Sequence, residues 1–138
     1  MPILNEELRQ RLAKKISDGE FTAADLSDFL TVFCETCNES DDIQSEVKTW
    51  SARLLFDITD GEKFWLRVDN GSFTCGSGDI EAPDTTLSTS GDVAARVFTG
   101  DKDATAAYME GSLKVNGKLS EALKLRGTIA NVLEQLQG

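Results

Sequence analysis

Hydrophobic positions change their spacing along this chain, which divides it into helical and extended parts. In residues 1–42 they recur every three or four positions, the period of an amphipathic helix. A first helix is predicted from an N-cap at Asn5 to a stop near Gly19, and a second from a cap at Thr22. The apolar stripes are Leu4, Leu8, Leu12 and Ile16 in the first helix, and Leu26, Phe29, Leu30, Phe33 and Cys37 in the second.

Beyond residue 50 the period becomes two, which is typical of strands with one buried face. Residues 50–58, 64–69 and 73–75 are predicted to form three strands. Asp60-Gly61 and Asn70-Gly71 separate them and supply tight turns, so the three strands should run antiparallel.

The second half of the chain is predicted to contain two more strands with helical structure between and after them. A strand at 85–89 leads into a helix, and after the acidic loop 101–103 the chain re-enters the core and forms another strand at 113–117. The final helical stripe is expected to break at Gly127, because glycine costs about 1 kcal/mol relative to alanine inside a helix. We interpret residues 119–138 as a lid over a cavity mouth, with an ordinary core helix as the alternative.

The charge of the chain excludes several functions. Its 138 residues carry 14 Lys and Arg against 24 Asp and Glu, a net charge of −10, and include no histidine. Such a surface repels polyanions, so nucleic acid is not an expected partner. Without histidine, Ser-His-Asp and Cys-His catalytic sets cannot form, and metal sites lack their commonest ligand. We therefore expect no catalytic residue, no metal and no cofactor, and a protein that is not an enzyme.

Cys34 and Cys37 form a Cys-x-x-Cys pair. In dithiol redox proteins this motif stands at a helix N-terminus, where the helix dipole lowers the thiol pKa. Here the pair falls late in its predicted helix and flanks Glu35, so buried structural cysteines are favoured over a dithiol redox protein. Three cysteines without a secretory segment after Met1 indicate a reducing compartment, and we expect a cytoplasmic protein.

Two segments of the chain resemble the sterol carrier protein type 2 family of non-specific lipid-transfer proteins: Asp84-Thr85-Thr86-Leu87-Ser88 and Met109-Glu110-Gly111-Ser112-Leu113-Lys114-Val115-Asn116-Gly117. The family pattern is a D-[apolar or Thr]-T-[apolar]-[Ser/Thr] strand, a helix, a glycine-bearing loop, and M-Q-G-K-[apolar]-K-[apolar]-x-G before a long helix. The matching positions are Asp84, Thr86, Leu87, Met109, Gly111, Leu113, Lys114, Val115 and Gly117. Glu110 and Ser112 depart from the pattern, which bears on headgroup preference more than on fold.

The resemblance covers residues 48–137 and is poor before Asp42. It implies that residues 1–138 form a single α+β domain with a five-stranded mixed sheet in the order 3-2-1-4-5. Helices should cover one face of the sheet and enclose an apolar cavity, with two further helices at the N-terminus. The side chains expected to line the cavity are Phe56, Phe64, Leu66, Leu87, Phe98, Tyr108, Met109, Leu113, Val115, Leu119 and Leu123.

The function that the resemblance implies is binding and transfer of an apolar lipid such as a sterol, a fatty acyl chain or an isoprenoid. One alternative is an accessory protein that presents a lipid-like intermediate, for example an isoprenoid quinone precursor, to biosynthetic enzymes. Another is a domain with a filled core that serves protein contact, since periodicity alone does not separate a cavity from a filled core. Residues 1–15 and 111–138 each carry four bases against two acids. We favour an ordinary solvated surface with basic terminal helices, and the alternative is transient contact with an anionic membrane or an enzyme. A homodimer is also compatible with the sequence.

Overall fold

A five-stranded mixed sheet forms the centre of the protein in the computed structural model, which describes residues 6–137. The strands are β1 (Ala52–Ile58), β2 (Phe64–Asp69), β3 (Ser72–Ser77), β4 (Thr85–Thr89) and β5 (Leu113–Gly117). Their order is β3-β2-β1-β4-β5. β1 and β4 are parallel, and the other neighbouring pairs are antiparallel. The predicted α+β class and strand order are confirmed.

One face of the sheet is apolar because successive side chains of a strand point to opposite sides. The register sets Leu54 beside Leu66, and Phe56 beside both Phe64 and Leu87, so the buried side chains of adjacent strands form a continuous surface. The opposite face is largely polar and includes the exposed residues Arg53, Arg67 and Lys114. The helices therefore pack on the apolar face, as is usual for a sheet with one solvated side.

Six helices are present within the described residues. They are α1 (Glu6–Asp18), α2 (Leu26–Glu39), α3 (Asp41–Val47), α4 (Gly91–Phe98), α5 (Ala104–Glu110) and α6 (Leu119–Gln137), and a 3-10 turn (Ala23–Asp25) precedes α2. The sequence predicted two helices before the sheet, and that count is wrong because α3 is a third. The Ser40 hydroxyl caps α3 by accepting the Ile43 N–H at 3.3 Å, and Ile43 and Val47 are buried. Leu4 and Asn5, predicted in the first stripe and its cap, lie outside the described residues.

The final helix runs unbroken through Gly127, so the predicted break there is wrong. A side chain at Gly127 would meet no atom within 4 Å, and only the general helix cost of glycine, about 1 kcal/mol, applies. Beyond it, Ile129 and Val132 are buried in the core. The second half of α6 is therefore a core helix, which was the alternative to a lid.

Two polar contacts attach the starts of α4 and α6 to the sheet. The Asp60 carboxylate accepts the Gly91 N–H at 2.8 Å and so attaches the start of α4 to the β1–β2 turn. The Thr85 hydroxyl accepts the Lys118 N–H and donates to the Lys118 carbonyl, both at 3.1 Å, which joins β4 to the start of α6. Gly117 has φ +112 and packs so closely on the Asp84 carbonyl that a Cβ would clash with it.

Candidate functional site

An apolar cavity of about 60 Å³ lies between the sheet and helices α4, α5 and α6. The strands contribute Phe56, Ile58, Leu87, Thr89 and Leu113. The helices contribute Ala94, Val97, Phe98, Ala104, Ala122, Leu125, Arg126 and Ile129. A space of this size holds at most a few water molecules. Pockets for small organic ligands measure about 300–1,000 Å³, so a lipid requires the cavity to expand.

The polar groups that border the cavity have partners elsewhere. The Thr89 hydroxyl donates to the Ser112 carbonyl at 2.8 Å. The Arg126 guanidinium turns away towards Asp103, with Nε 2.9 Å and Nη2 2.8 Å from Oδ1. An apolar group in the cavity would therefore leave none of these polar atoms without a hydrogen bond, which avoids the main cost of apolar contact with a polar wall.

Phe98 forms the wall between the cavity and the deeper core. Its ring centroid lies 5.6 Å from that of Phe56 and 5.5 Å from that of Phe29, in edge-on or tilted arrangements that aromatic rings prefer. Phe29 continues to Phe33, and Phe33 to Phe73, so a chain of aromatic contacts extends from the cavity towards the edge strand β3. This side of the cavity is consequently closely packed.

Asp103 links the two helices on the opposite side of the cavity. Its carboxylate caps α5 by accepting the Ala106 N–H at 3.2 Å, and it also accepts the Arg126 bond from α6. The hydrogen bond from Arg126 holds the pKa of Asp103 below its usual value. We call this pair the Asp103–Arg126 clasp.

A surface groove of about 380 Å³ lies directly outside the clasp, between the α4–α5 loop and α6. The groove and the cavity share Val97, Ala104, Arg126 and Ile129. These four residues, which we call the partition, separate the cavity from the groove. Two of them are on α6, one is on α4 and one begins α5, so movement of α5 relative to α6 would change the width of the partition.

The helices that bound the cavity also carry exposed apolar side chains. Tyr108 and Met109 end α5, and Leu119 and Leu123 begin α6; Met109 is 80% exposed. Lys114, Lys118 and Lys124 are exposed on the same part of the chain. Within residues 6–137, no helix combines the length and the apolarity needed to cross a bilayer.

The structure separates the eleven predicted cavity residues into groups. Phe56, Leu87, Phe98 and Leu113 line the cavity. Val115 is half-buried beside Leu87 in the adjacent strand. Leu66 is fully buried under the helices, and Phe64 borders a different depression near the β1–β2 turn. The remaining four, Tyr108, Met109, Leu119 and Leu123, are exposed.

Sequence reasoning missed most of the helical wall. Ala94, Ala104 and Ala122 line the cavity, and their small side chains help to leave it open. Leu125 and Ile129 belong to the apolar stripe of the last helix, but a stripe does not show which part of it meets a cavity. The signal that could have found this wall is the occurrence of alanines on the buried side of three helices.

The cysteines of the Cys-x-x-Cys pair are both buried, which confirms the favoured interpretation. Burial raises the pKa of the Cys37 thiol, the opposite of the shift that activates a redox cysteine. In the part of the chain that the structure describes, no group of three or more His, Cys, Asp or Glu side chains is placed to hold a metal ion.

Several solved structures share the fold of this chain. Sterol carrier protein 2 from Yarrowia lipolytica, in its apo form, is 22% identical with a TM-score of 0.61, and the match covers 78% of this chain and 91% of that one. A UbiJ-SCP2 ubiquinone synthesis protein is 11% identical with a TM-score of 0.64, covering 77% of this chain and 88% of that one. At these identities the likeness shows a shared fold.

A larger enzyme contains a similar unit. The inverting sec-alkylsulfatase Pisa1 from Pseudomonas sp. matches with 18% identity and a TM-score of 0.54 over 63% of this chain. The present chain spans only 14% of the length of that sulfatase, so the shared fold is a small part of it.

Sequence comparison identifies the family. No curated protein sequence matches the chain. The family profile described as the SCP-2 sterol transfer family matches residues 30–130, a segment that contains the whole sheet and every residue lining the cavity. The chain belongs to the SCP-2 sterol transfer family.

Proposed function

We propose that this protein binds an apolar lipid between the sheet and helices α4–α6 and transfers it without catalysis. The observation that carries the proposal is the apolar cavity, whose bordering polar groups are hydrogen-bonded elsewhere. Membership of a sterol transfer family supports the same function. The absence of histidine supports a role that needs no acid–base or metal chemistry.

Binding requires the cavity to open at the partition. The adjoining groove, at about 380 Å³, lies within the size range of ligand pockets, about 300–1,000 Å³, so joining the two spaces would accommodate an acyl chain. The mobile element in this proposal is α5. It has seven residues and buries only Ala107 fully, so displacing it exposes little apolar surface.

The lipid itself supplies the free energy for opening. Burying about 16 methylenes at roughly 0.8 kcal/mol each gives on the order of 12 kcal/mol before ordering costs. Both side chains of the clasp that resists opening are half-exposed, with relative exposures of 50% for Arg126 and 46% for Asp103. Water and salt screen exposed ion pairs, which therefore add little stability, so the gain from the lipid exceeds the resistance of the clasp.

The proposal gives the eleven predicted residues separate roles. Phe56, Leu87, Phe98 and Leu113 would contact the lipid in the cavity, and Val115 would join them once α5 moves. Phe64 and Leu66 would support the wall from behind. The exposed group, which consists of Tyr108, Met109, Leu119 and Leu123, would form the rim of the opened mouth.

The rim is also the proposed contact with a membrane. Exposed apolar side chains in segments that also expose Lys118 and Lys124 suit the surface of an anionic bilayer. The protein as a whole carries a charge of −10, so its other surfaces would be repelled. The lipid would then pass between bilayer and cavity at this locally basic end.

A second candidate function is presentation of a lipid-like intermediate, such as an isoprenoid quinone precursor, to biosynthetic enzymes. The observation that favours it is the structural match to the ubiquinone synthesis protein, with a TM-score of 0.64. It differs from general transfer in two measurable ways: the bound lipid would be an isoprenoid, and the protein would associate with enzymes instead of exchanging lipid between vesicles.

A matched pair of substitutions in α5 tests the proposed cavity. Ala104 lines the cavity and the groove, whereas Ala106 is exposed and lines neither. Ala104→Phe should abolish uptake of a fluorescent fatty acid, and Ala106→Phe should preserve it, with both variants folded by circular dichroism. Uptake by Ala104→Phe equal to that of the unsubstituted protein would show that the lipid does not bind here.

A further inference from the structure

Arg126 borders both the cavity and the groove that the partition separates. Its partner Asp103 lines the groove but not the cavity. Since the guanidinium nitrogens Nε and Nη2 lie 2.9 and 2.8 Å from Asp103 Oδ1, the charged end of Arg126 faces the groove. The methylene stem of the same side chain therefore borders the cavity. Long basic side chains often divide in this way between apolar and aqueous surroundings.

The Arg126 guanidinium has hydrogen-bond donors that the clasp does not use. Arginine presents five N–H groups in a planar fork, which can hold both oxygens of a carboxylate at once. Asp103 accepts from Nε and Nη2 through the single oxygen Oδ1, so the edge formed by Nη1 and Nη2 lies outside the clasp. The Arg126 side chain is 50% exposed and lines the groove, so a ligand in the groove can reach this edge.

The groove is locally basic in an acidic protein. The charged residues that line it are Lys102, Asp103 and Arg126, two bases against one acid, whereas the whole chain carries −10. Lys102 forms an ion pair with Glu110, which ends α5. Arg126 is therefore the base of the groove that can bind an anion without giving up its present partner. The path from the apolar cavity past the Arg126 stem to the guanidinium matches a molecule with one apolar and one anionic end.

We propose that Arg126 determines the head-group specificity of the protein, and that the ligand is a single-chain lipid with a carboxylate head. This inference rests on the proposed lipid function and names the class of lipid. The acyl chain lies along the Arg126 stem in the opened cavity. The carboxylate accepts N–H bonds from the Nη1 and Nη2 edge at the groove. Asp103 remains on the other edge, so the head group adds to the clasp and does not replace it.

A carboxylate suits this position better than a phosphate or a hydroxyl. Hydrogen bonds between a guanidinium and a carboxylate are charge-assisted and roughly twice as strong as those between neutral groups. A dianionic phosphate would bring a second negative charge close to Asp103, and a hydroxyl would offer no charge at all. Because Arg126 is half-exposed, water screens part of the gain, so we expect a fatty acid to bind about tenfold more tightly than the fatty alcohol of the same length.

Competition binding measures this preference directly. Palmitate and hexadecanol have the same chain length, and each displaces a neutral pyrene-labelled fatty alcohol from the full-length protein at a mildly alkaline pH that ionises the carboxylate. The ratio of their affinities isolates the head group, and it should favour palmitate about tenfold. Equal affinities would overturn the proposal and leave the proposed lipid function standing. Failure of the protein to bind either lipid would contradict both.

Matched variants assign the preference to Arg126. Arg126→Gln should abolish it, chiefly by weakening the binding of palmitate. Arg67→Gln is the control, because it makes the same substitution on the opposite face of the sheet, where Arg67 lines neither the cavity nor the groove, and it should keep the preference. A preference that survives in folded Arg126→Gln, or that disappears in Arg67→Gln as well, would overturn the assignment.

Two further variants separate the head-group contact from the clasp. Asp103→Asn also breaks the clasp and so alters lipid release, but it keeps the guanidinium and should not lower the preference for palmitate. Arg126→Lys keeps the positive charge but loses the planar fork, so it should lower the preference, and it tests the same contact if Arg126→Gln does not fold. Loss of the preference in Asp103→Asn, or an undiminished preference in Arg126→Lys, would contradict binding at the Nη1 and Nη2 edge.

Discussion

Replacing Phe98 by alanine should weaken the fold and improve lipid binding at the same time. Phe98 is 5% exposed and packs on Phe29 and Phe56. Such a substitution costs about 3–5 kcal/mol, of which a residual void of about 100 Å³ accounts for roughly 2.4 kcal/mol at about 24 cal/mol per Å³. Because the vacated space adjoins a cavity of about 60 Å³, an acyl chain can fill it and recover part of that loss.

Phe33→Ala is the matched control. Phe33 is fully buried and packs on Phe29 and Phe73, but it does not line the cavity. Both variants should lose similar stability, about 3–5 kcal/mol, in urea unfolding without lipid. The free energy of unfolding should rise with added fatty acid more in Phe98→Ala than in Phe33→Ala, and a tenfold gain in affinity adds about 1.4 kcal/mol. Equal lipid-dependent stabilisation of the two variants would refute the assignment of Phe98 to the lipid site.

Three further predictions concern the clasp, a glycine and the last helix. Asp103→Asn keeps the α5 cap but removes the charge opposite Arg126, so lipid release measured by stopped-flow fluorescence should be several-fold faster. Glu110→Gln, which breaks the ion pair with Lys102 instead, should leave the lipid release rate unchanged. Acidification should speed lipid release as Asp103→Asn does. The pKa of Asp103 is lowered in the folded protein, so the clasp is fully present above its usual value of 3.8 and is lost as pH falls through the lowered pKa. Gly117→Ala should destabilise the protein in urea far more than Gly111→Ala. Both glycines have positive φ, where a side chain costs about 1–2 kcal/mol, but of the two only Gly117 would also bring its Cβ against backbone atoms. Equal losses would contradict this. Truncation after Gly127 removes Ile129 and Val132 from the core and should abolish cooperative thermal unfolding; a cooperative transition would show that the second half of α6 is dispensable.

The sheet could be predicted from the sequence because its signals are local. Alternation over residues 50–69 sets the buried face of each strand, and Asp60-Gly61 and Asn70-Gly71 fix the turns between them. The position of Gly117 at the end of β5 explains why the motif has a glycine there, since the backbone contact with Asp84 leaves no room for a side chain. The strand order came from the family resemblance, because local patterning does not determine which strand lies beside β1.

The helical layer was harder to predict because tertiary contacts decide it. Residues 41–47 form a helix that Ser40 caps and that Ile43 and Val47 anchor in the core, but two apolar positions are too few to show a helical stripe in the sequence. Gly127 lowers helix propensity, but the packing of Ile129 and Val132 keeps α6 continuous. At Gly127, tertiary packing outweighed intrinsic propensity.

The size of the candidate site could not be predicted from the sequence either. Periodicity shows which side of a helix is buried, but the distance between helix and sheet decides whether a cavity remains. The alanines of α4, α5 and α6 leave about 60 Å³, and the Asp103–Arg126 clasp that borders it depends on a contact between residues 23 positions apart.

The most direct test of the central claim is native mass spectrometry of protein purified without detergent, followed by solvent extraction of the bound material. We expect about one lipid per chain, and we expect the extracted protein to take up a fluorescent fatty acid or sterol that the native lipid displaces. A protein that carries no lipid, and that takes up neither probe after extraction, would contradict the account.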